Sequence, residues 1–370
     1  MNYRRMPIEI ESPEQLGYDT IACNLAESSF RDARLGDLGV RLDDLVLQYS
    51  DHLGHPGLRR LLAADAGVAP EQVLLTVGAA AALFMVATTL LSAGDHLVVV
   101  RPNYATNLET PRAIGCDISF LDLRYEDGWA VDLDRLAALI TPRTRLISLT
   151  CPHNPTGAVF DEATLRGAVA LAERHGCHLL CDETYREMTF GAPLPVAASL
   201  SPAAISVCSL SKTYGLPGIR LGWLMTQDAA LFTRLLAAKE QIFITGSVVD
   251  EEIAAQALAR RAELLSGIRA RIAAAFATTR DFMAAQDQLE WVEPRGGVVG
   301  FVRLRDEVAA RTDVDLFYKV LYERHRTLVG PGHWFEQPRR SFRLGYGWPT
   351  PAELAAGLRN LTLALDDARR

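Results

Sequence analysis

Two periodicities run along this chain, and the places where one gives way to the other mark out its elements. From about residue 70, short apolar runs of strand length alternate with stretches of helical spacing. VLLTV (73–77), HLVVV (96–100), DISFLDL (117–123), RLISLT (145–150), HLLCD (178–182), AISVCS (204–209) and GIRLGWLM (218–225) read as strands. Between them, AAAALFMVATTLL (79–91), LDRLAALI (133–140) and LRGAVALAERHG (165–176) read as helices, the first opening at Gly78 and the last closing at Gly176. Apolar runs this continuous, separated by helices, predict a mostly parallel sheet with helices covering both faces, a three-layer α/β/α arrangement.

After Asp228 the pattern changes. EEIAAQALARRAELLSGIRARIAAAFATTRDFMAAQ reads as one long or broken helix, and LEWVEPRGGVVGFVRL as two apolar runs around a turn at Pro294–Gly297. A helix at DLFYKVLYERH, a strand at SFRLGYG and a last helix at PAELAAGLRNLTLALDDARR follow. The expected organisation is a large α/β domain over residues 46–285 and a smaller α+β domain from residues 1–45 and 286–370.

Composition narrows the function. A chain of 370 residues is long enough for two cores, and 49% hydrophobic with 22% charged residues is the profile of a globular protein. A net charge of −7 argues against nucleic acid as a partner, which calls for a basic face. The N-terminal MNYRRMPIEIESPEQ lacks the apolar centre of a signal peptide, and no apolar run reaches spanning length, so neither secretion nor a membrane is expected. The six cysteines form no C-x-x-C pair and no His/Cys cluster for a metal; they read as free thiols of a cytoplasmic protein.

In open α/β sheets, ligands bind beyond the carboxyl ends of the strands. Gly78 follows VLLTV and opens a helix with Ala79 and Ala80, whose free N–H groups and dipole suit a phosphate. Tyr104 follows HLVVV and offers a flat face. Asn154 stands between prolines after RLISLT. HLLCD ends on Asp182, with Tyr185 three residues on, and AISVCS ends on Ser209, with Lys212 three residues on. Arg220 follows within SLSKTYGLPGIRLGW. A lysine on its own is usually solvated, but a lysine amine with a depressed pKa is a nucleophile for an aldehyde. Phosphate donors, an aromatic face, an amide, a carboxylate, a phenol and a lysine together describe a pyridoxal phosphate site: the carboxylate keeps the pyridine nitrogen protonated, and the lysine takes the aldehyde.

These residues, in order and with the usual spacing over about residues 45–345, resemble the fold type I pyridoxal phosphate enzymes of the class I/II aminotransferase family. The resemblance implies pyridoxal 5'-phosphate as cofactor and Lys212 as its Schiff-base lysine. Asp182 then pairs with the pyridine nitrogen, Asn154 and Tyr185 with the ring oxygen, and Tyr104 stacks on the ring. Gly78, Ala79, Ala80, Ser209 and Arg220 form the phosphate cradle, and Arg343, in SFRLG, grips the substrate α-carboxylate. Tyr49, in QYSDHLGHPGLRRLL, and Thr245, in FITGS, match residues that reach the partner subunit's site, which implies a homodimer with shared active sites.

Two departures matter. The phosphate turn reads VGAAAA, where relatives often carry a hydroxyl residue, so Ser209, Arg220 and Tyr49 carry more of the load. AAKEQIFITGS holds no second arginine for an acidic side chain. Glu27, in NLAESSF, falls at the expected substrate mouth and suits a cationic side chain, or else is a solvated or capping glutamate. The implied activity is transfer of the amino group of an L-amino acid to a 2-keto acid. The alternative is a lyase, cyclase or oxidase acting on an amino acid such as an arginine derivative. SLSKTYGLPGIRLGW and EPRGGVVGFVRL also resemble stretches of a family member that works on a hydroxylated arginine. A regulatory protein that keeps only the fold is the non-enzyme reading. Retention of Lys212 and Asp182, without a basic patch or an added module, argues against it.

Overall fold

A computed structural model describes residues 1–369. In chain order, β1 (Cys23–Leu25) belongs to a small sheet. The strands β2 (Val73–Thr76), β3 (His96–Arg101), β4 (Asp117–Asp122), β5 (Thr144–Thr150), β6 (His178–Asp182), β7 (Ala204–Ser209) and β8 (Gly222–Thr226) form a seven-stranded sheet in the order β2-β8-β7-β6-β5-β3-β4. Strands β3 to β7 pair in parallel, while β8 runs antiparallel to both β2 and β7. The predicted α/β class and mostly parallel sheet are what the chain adopts.

The side-chain period of two explains the continuous apolar runs. Leu97, Val99, Leu146, Leu180, Ile205 and Val207 pack with Leu83, Met85 and Val86 of the helix Gly78–Leu90 on one face. Their neighbours Val98, Val100, Ile147, Leu149, Leu179 and Cys181 pack on the other face with Leu165, Ala168 and Ala172 of the helix Glu162–His175. Both faces are covered, so the strand interiors are mostly apolar, and a buried polar residue such as Ser206 is tolerated where it is hydrogen-bonded, here to Glu183 and the Ala198 amide. Replacing one of these fully buried leucines with alanine costs about 2–5 kcal/mol.

The small sheet continues with β9 (Leu289–Trp291), β10 (Val299–Leu304), β11 (Thr327–Pro331) and β12 (Ser341–Gly345), in the order β1-β11-β12-β10-β9. The helix Pro351–Asp367 packs on it, with Thr350 and Glu353 forming a reciprocal N-terminal cap.

Of the two forms expected for the stretch after Asp228, long or broken, the chain adopts the broken one: three helices, Ala229–Ile242, Val248–Ala259 and Arg261–Ala285, interrupted at residues 243–247 and at Arg260. Arg260 leaves the helical region (φ −107°, ψ 24°) as its side chain turns to the Leu38 carbonyl and to Glu263. One local expectation changes. Arg220 stands before β8 rather than within a strand, on a left-handed residue (φ 43°) closing the short turn Pro217–Ile219.

Candidate active site

The carboxyl ends of β5, β6 and β7 meet the N-terminus of the helix Gly78–Leu90 at one cavity of about 240 Å³. Ala79, Ala80, Tyr104, Asn154, Asp182, Tyr185, Ser209, Lys212 and Arg220 line it from the large sheet's side. Arg343 of β12 and Glu27 enter from the small sheet's side, and the segment Ile8–Glu14 roofs the mouth. Gly78 stands just behind the wall, against Arg220. Tyr49 and Thr245 are elsewhere: neither lines this cavity, and Tyr49 is 80% exposed.

Lys212 opens onto the cavity, and its carbonyl accepts from the Phe30 amide at 2.8 Å. Burial pushes its amine below the 10.5 of a free lysine, opposed in part by the negative charge of Glu27. Burial likewise raises the Asp182 carboxyl. Two donors counter that rise: the Thr184 amide at 3.1 Å and the Thr184 hydroxyl at 2.6 Å, both on Oδ1. No protein donor among the described residues binds the other oxygen of Asp182. A buried carboxylate with one oxygen unserved calls for a cationic N–H in the cavity.

At the opposite corner, Gly78 has φ 75°, and a Cβ there would come within 2.5 Å of Arg220 Nη2. A Cβ on Gly222 would meet the Gly78 carbonyl carbon at 2.5 Å and the Ala79 nitrogen at 2.6 Å. Two glycines thus let the helix N-terminus and the Arg220 guanidinium converge, which is an anion cradle. Arg220 Nη1 is 3.4 Å from Ser211 Oγ, and its left-handed backbone is strain held at a binding site.

The Arg343 guanidinium is buried. It donates to Asn154 Oδ1 at 3.0 Å and to the Ala26 carbonyl at 2.6 Å, and its Nε has no partner. None of the described carboxylates forms an ion pair with it, so its charge is left for a ligand. Tyr185 donates from its hydroxyl to the Ser28 carbonyl at 2.8 Å, and burial pushes its pKa up. Tyr104 stands at the N-terminus of the helix Ala105–Ile114 and lines the same cavity.

Four contributors escape a reading of the sequence alone. Thr184 carries a faint signal, since a hydroxyl two residues after an aspartate often turns back on it. Ser211 sits next to Lys212 in the chain, but its aim at Arg220 depends on the turn. Glu14 and Trp334, both lining the cavity, carry no local signal at all.

The residues fit pyridoxal 5'-phosphate: a glycine-built anion cradle, a buried carboxylate awaiting an N–H, and a walled-in lysine face one cavity. This defines a fold type I pyridoxal phosphate enzyme. The chain belongs to the family of aminotransferases class I and II, whose model matches residues 33–361. It is 33% identical over 329 residues to capreomycidine synthase of Streptomyces vinaceus, covering 87% of this chain and 82% of that one. It is 36% identical to an arginine–pyruvate transaminase of Pseudomonas aeruginosa over 186 residues, 48% of this chain and 47% of the other. A solved pyridoxal phosphate-dependent cyclase superposes with a TM-score of 0.90 at 31% identity, covering 99% of this chain and 98% of that one.

Proposed function

We propose that the protein transfers the amino group of an L-amino acid with a neutral or cationic side chain to a 2-keto acid. The observation that carries this is the convergence of Lys212, Asp182 and an Arg343 without a carboxylate partner on one cavity. The cofactor, when bound, supplies an aldehyde and an electron-accepting ring. In this reading Asp182 holds a proton on the ring nitrogen, and the Gly78–Ala80 amides, Ser209, Ser211 and Arg220 hold the phosphate. Arg343 orients the substrate by its α-carboxylate, with Asn154 setting the plane of the guanidinium. Lys212 Nζ, whose pKa burial lowers, would take the proton from the substrate's Cα and return it on the other side of the transfer.

The mouth supports a cationic side chain. Glu9, Glu14 and Glu27 line it, and the cations on the wall are those already assigned to cofactor, carboxylate and proton transfer. Glu27 accepts from the Tyr18 hydroxyl at 3.0 Å, and the Tyr18 ring stacks on Trp348 at 5.9 Å, so its carboxylate is braced rather than free in solvent. A carboxylate 4 Å from an opposite charge in a partly wet site contributes about 1–4 kcal/mol. The test is kcat/KM for arginine, an apolar amino acid, aspartate and glutamate, on wild type and on Glu27→Gln. Arginine ahead of the acidic donors, with the preference reduced in Glu27→Gln, is the expected result; aspartate or glutamate as best donor contradicts it.

A second reading is a cyclase or lyase that acts on an arginine derivative. The likeness to capreomycidine synthase and to the solved cyclase favours it. Both readings use the same acidic mouth and differ in what leaves the substrate.

The active unit in this proposal is a cytoplasmic homodimer. Val46, Leu47 and Tyr49, with Ile242 and Ile244, are large apolar side chains left exposed on the segments that hold Tyr49 and Thr245. All six cysteines are free, which suits a reducing compartment.

A further inference from the structure

We infer that Glu11 is a positioning residue for the carboxylate grip, acting on Arg343 through Trp334. This rests on the reading of Arg343 as the group that takes the α-carboxylate. Glu11 Oε2 accepts from Trp334 Nε1 at 2.7 Å and from His333 Nε2 at 2.8 Å. His333 Nδ1 lies 2.9 Å from Arg339 Nη1, a group that can only donate, so Nδ1 accepts and Nε2 carries the hydrogen given to Glu11. One carboxylate oxygen therefore fixes two successive residues of the short turn Gly332–Phe335.

That turn is the shelf behind the grip. Arg343 Cζ stands 5.1 Å from the Phe335 ring and 6.0 Å from the Trp334 ring. Trp334 is 2% exposed and packs against Gly330 so closely that a Cβ there would come within 3.1 Å of the ring. The polar anchors of Arg343, Asn154 Oδ1 and the Ala26 carbonyl, are both neutral. A guanidinium held by neutral acceptors keeps its charge for a ligand; those acceptors fix its edge, and the aromatic shelf behind it limits its tilt. The Glu11 side chain is 46% exposed, and an exposed carboxylate contributes little on its own account. Its effect lies in anchoring the buried indole through its N–H, which has no other acceptor among the described residues. Glu11 also ends the helix Pro7–Glu11, beside Ile8, Glu9 and Glu14 of the cavity roof. Roof and shelf are thereby tied together at one side chain.

The test uses non-reacting probes on the holoenzyme, read by calorimetry and by the absorbance of the bound cofactor. Pentanoate offers a carboxylate alone, butylguanidine a guanidinium alone, and 5-guanidinopentanoate both. Glu11→Ala should weaken pentanoate and 5-guanidinopentanoate by the same factor, about five- to tenfold, and leave butylguanidine unchanged. Glu11→Gln, which keeps an oxygen acceptor, should recover most of the loss. Trp334→Phe, which keeps a ring but loses the N–H, should match Glu11→Ala, and the double variant should add nothing further. Unchanged pentanoate affinity in Glu11→Ala, or an equal loss for butylguanidine, overturns the inference. Should Glu11→Ala not fold, Glu11→Gln set against Trp334→Phe gives the same comparison, and equal affinities for pentanoate in the two overturn it. No carboxylate probe binding to wild type would overturn the Arg343 reading and this inference with it. A wild type that binds 5-guanidinopentanoate no better than pentanoate would count against the cationic substrate alone and leave the Glu11 comparison readable.

Discussion

Arg343 Nη1 donates to Asn154 Oδ1 at 3.0 Å, joining the last strand of the small sheet to the loop after β5. The contact orients a buried guanidinium that has no carboxylate of its own. It also gives the amide oxygen of Asn154 a fixed partner. Arg343→Lys should therefore raise KM for amino donors by about tenfold or more while moving kcat less, because an ammonium cannot serve a carboxylate and Asn154 in one plane. Steady-state kinetics with a good donor check this; an unchanged KM would place the carboxylate elsewhere.

Gly78 is the position where a small change should disturb the phosphate corner. Its φ of 75° costs a residue with a Cβ about 1–2 kcal/mol, and the new methyl would displace Arg220. Gly78→Ala should weaken cofactor binding about tenfold and lower Tm by a few degrees. Equilibrium titration of the cofactor-free protein with pyridoxal 5'-phosphate measures the first effect. Wild-type affinity would mean that the cradle does not use this turn.

The Lys212 amine gives a pH signature with a definite sign. Burial depresses its folded-state pKa below the 10.5 of a free lysine, and Glu27 partly restores it. Between the folded value and that of the unfolded chain, the unfolded state binds more protons. The Lys212 contribution to the stability of the cofactor-free protein therefore improves as pH rises through that window; its cost is full below the folded pKa and gone above the unfolded one. Glu27→Gln removes a charge that favours the ammonium, so the pKa should fall further. Reductive methylation of Lys212 against pH, read by mass spectrometry, should show its midpoint below 10.5 and lower again in Glu27→Gln. A midpoint that rises in the variant contradicts the electrostatics.

Tyr49 lies outside the cavity of its own chain, so its proposed role requires a second copy. Tyr49→Ala and Lys212→Ala should each be inactive alone and recover part of the wild-type rate when mixed and reassembled, since one hybrid site has both residues. Light scattering that finds an active monomer would rule out shared sites.

Much of this site is written in the chain order because its residues follow strands. Asp182 and Ser209 end mostly apolar runs buried on both faces, and a charged or cofactor-facing residue is accommodated where the strand leaves the core. Lys212 and Arg220 are close in sequence to those ends. Where the long helical stretch breaks is not legible: an alanine-rich run keeps its propensity through Arg260, and the turn of that side chain toward Leu38 is a contact between distant segments. Glu14, Glu11 and Trp334 belong to helices of five residues or fewer, whose position comes from packing rather than periodicity. Tyr18 is placed by Trp348, some 330 residues away in the chain, and no local pattern could pair them.

The fate of the amino group of arginine tests the central claim most directly. Purified holoenzyme is given arginine with pyruvate, and the products are separated and weighed against one another. Amino-group transfer predicts 2-keto-5-guanidinopentanoate and alanine in equal amounts, neither forming with Lys212→Ala. Release of ammonia, or a cyclised product without any alanine, would contradict transfer and assign the site to the cyclase or lyase chemistry instead.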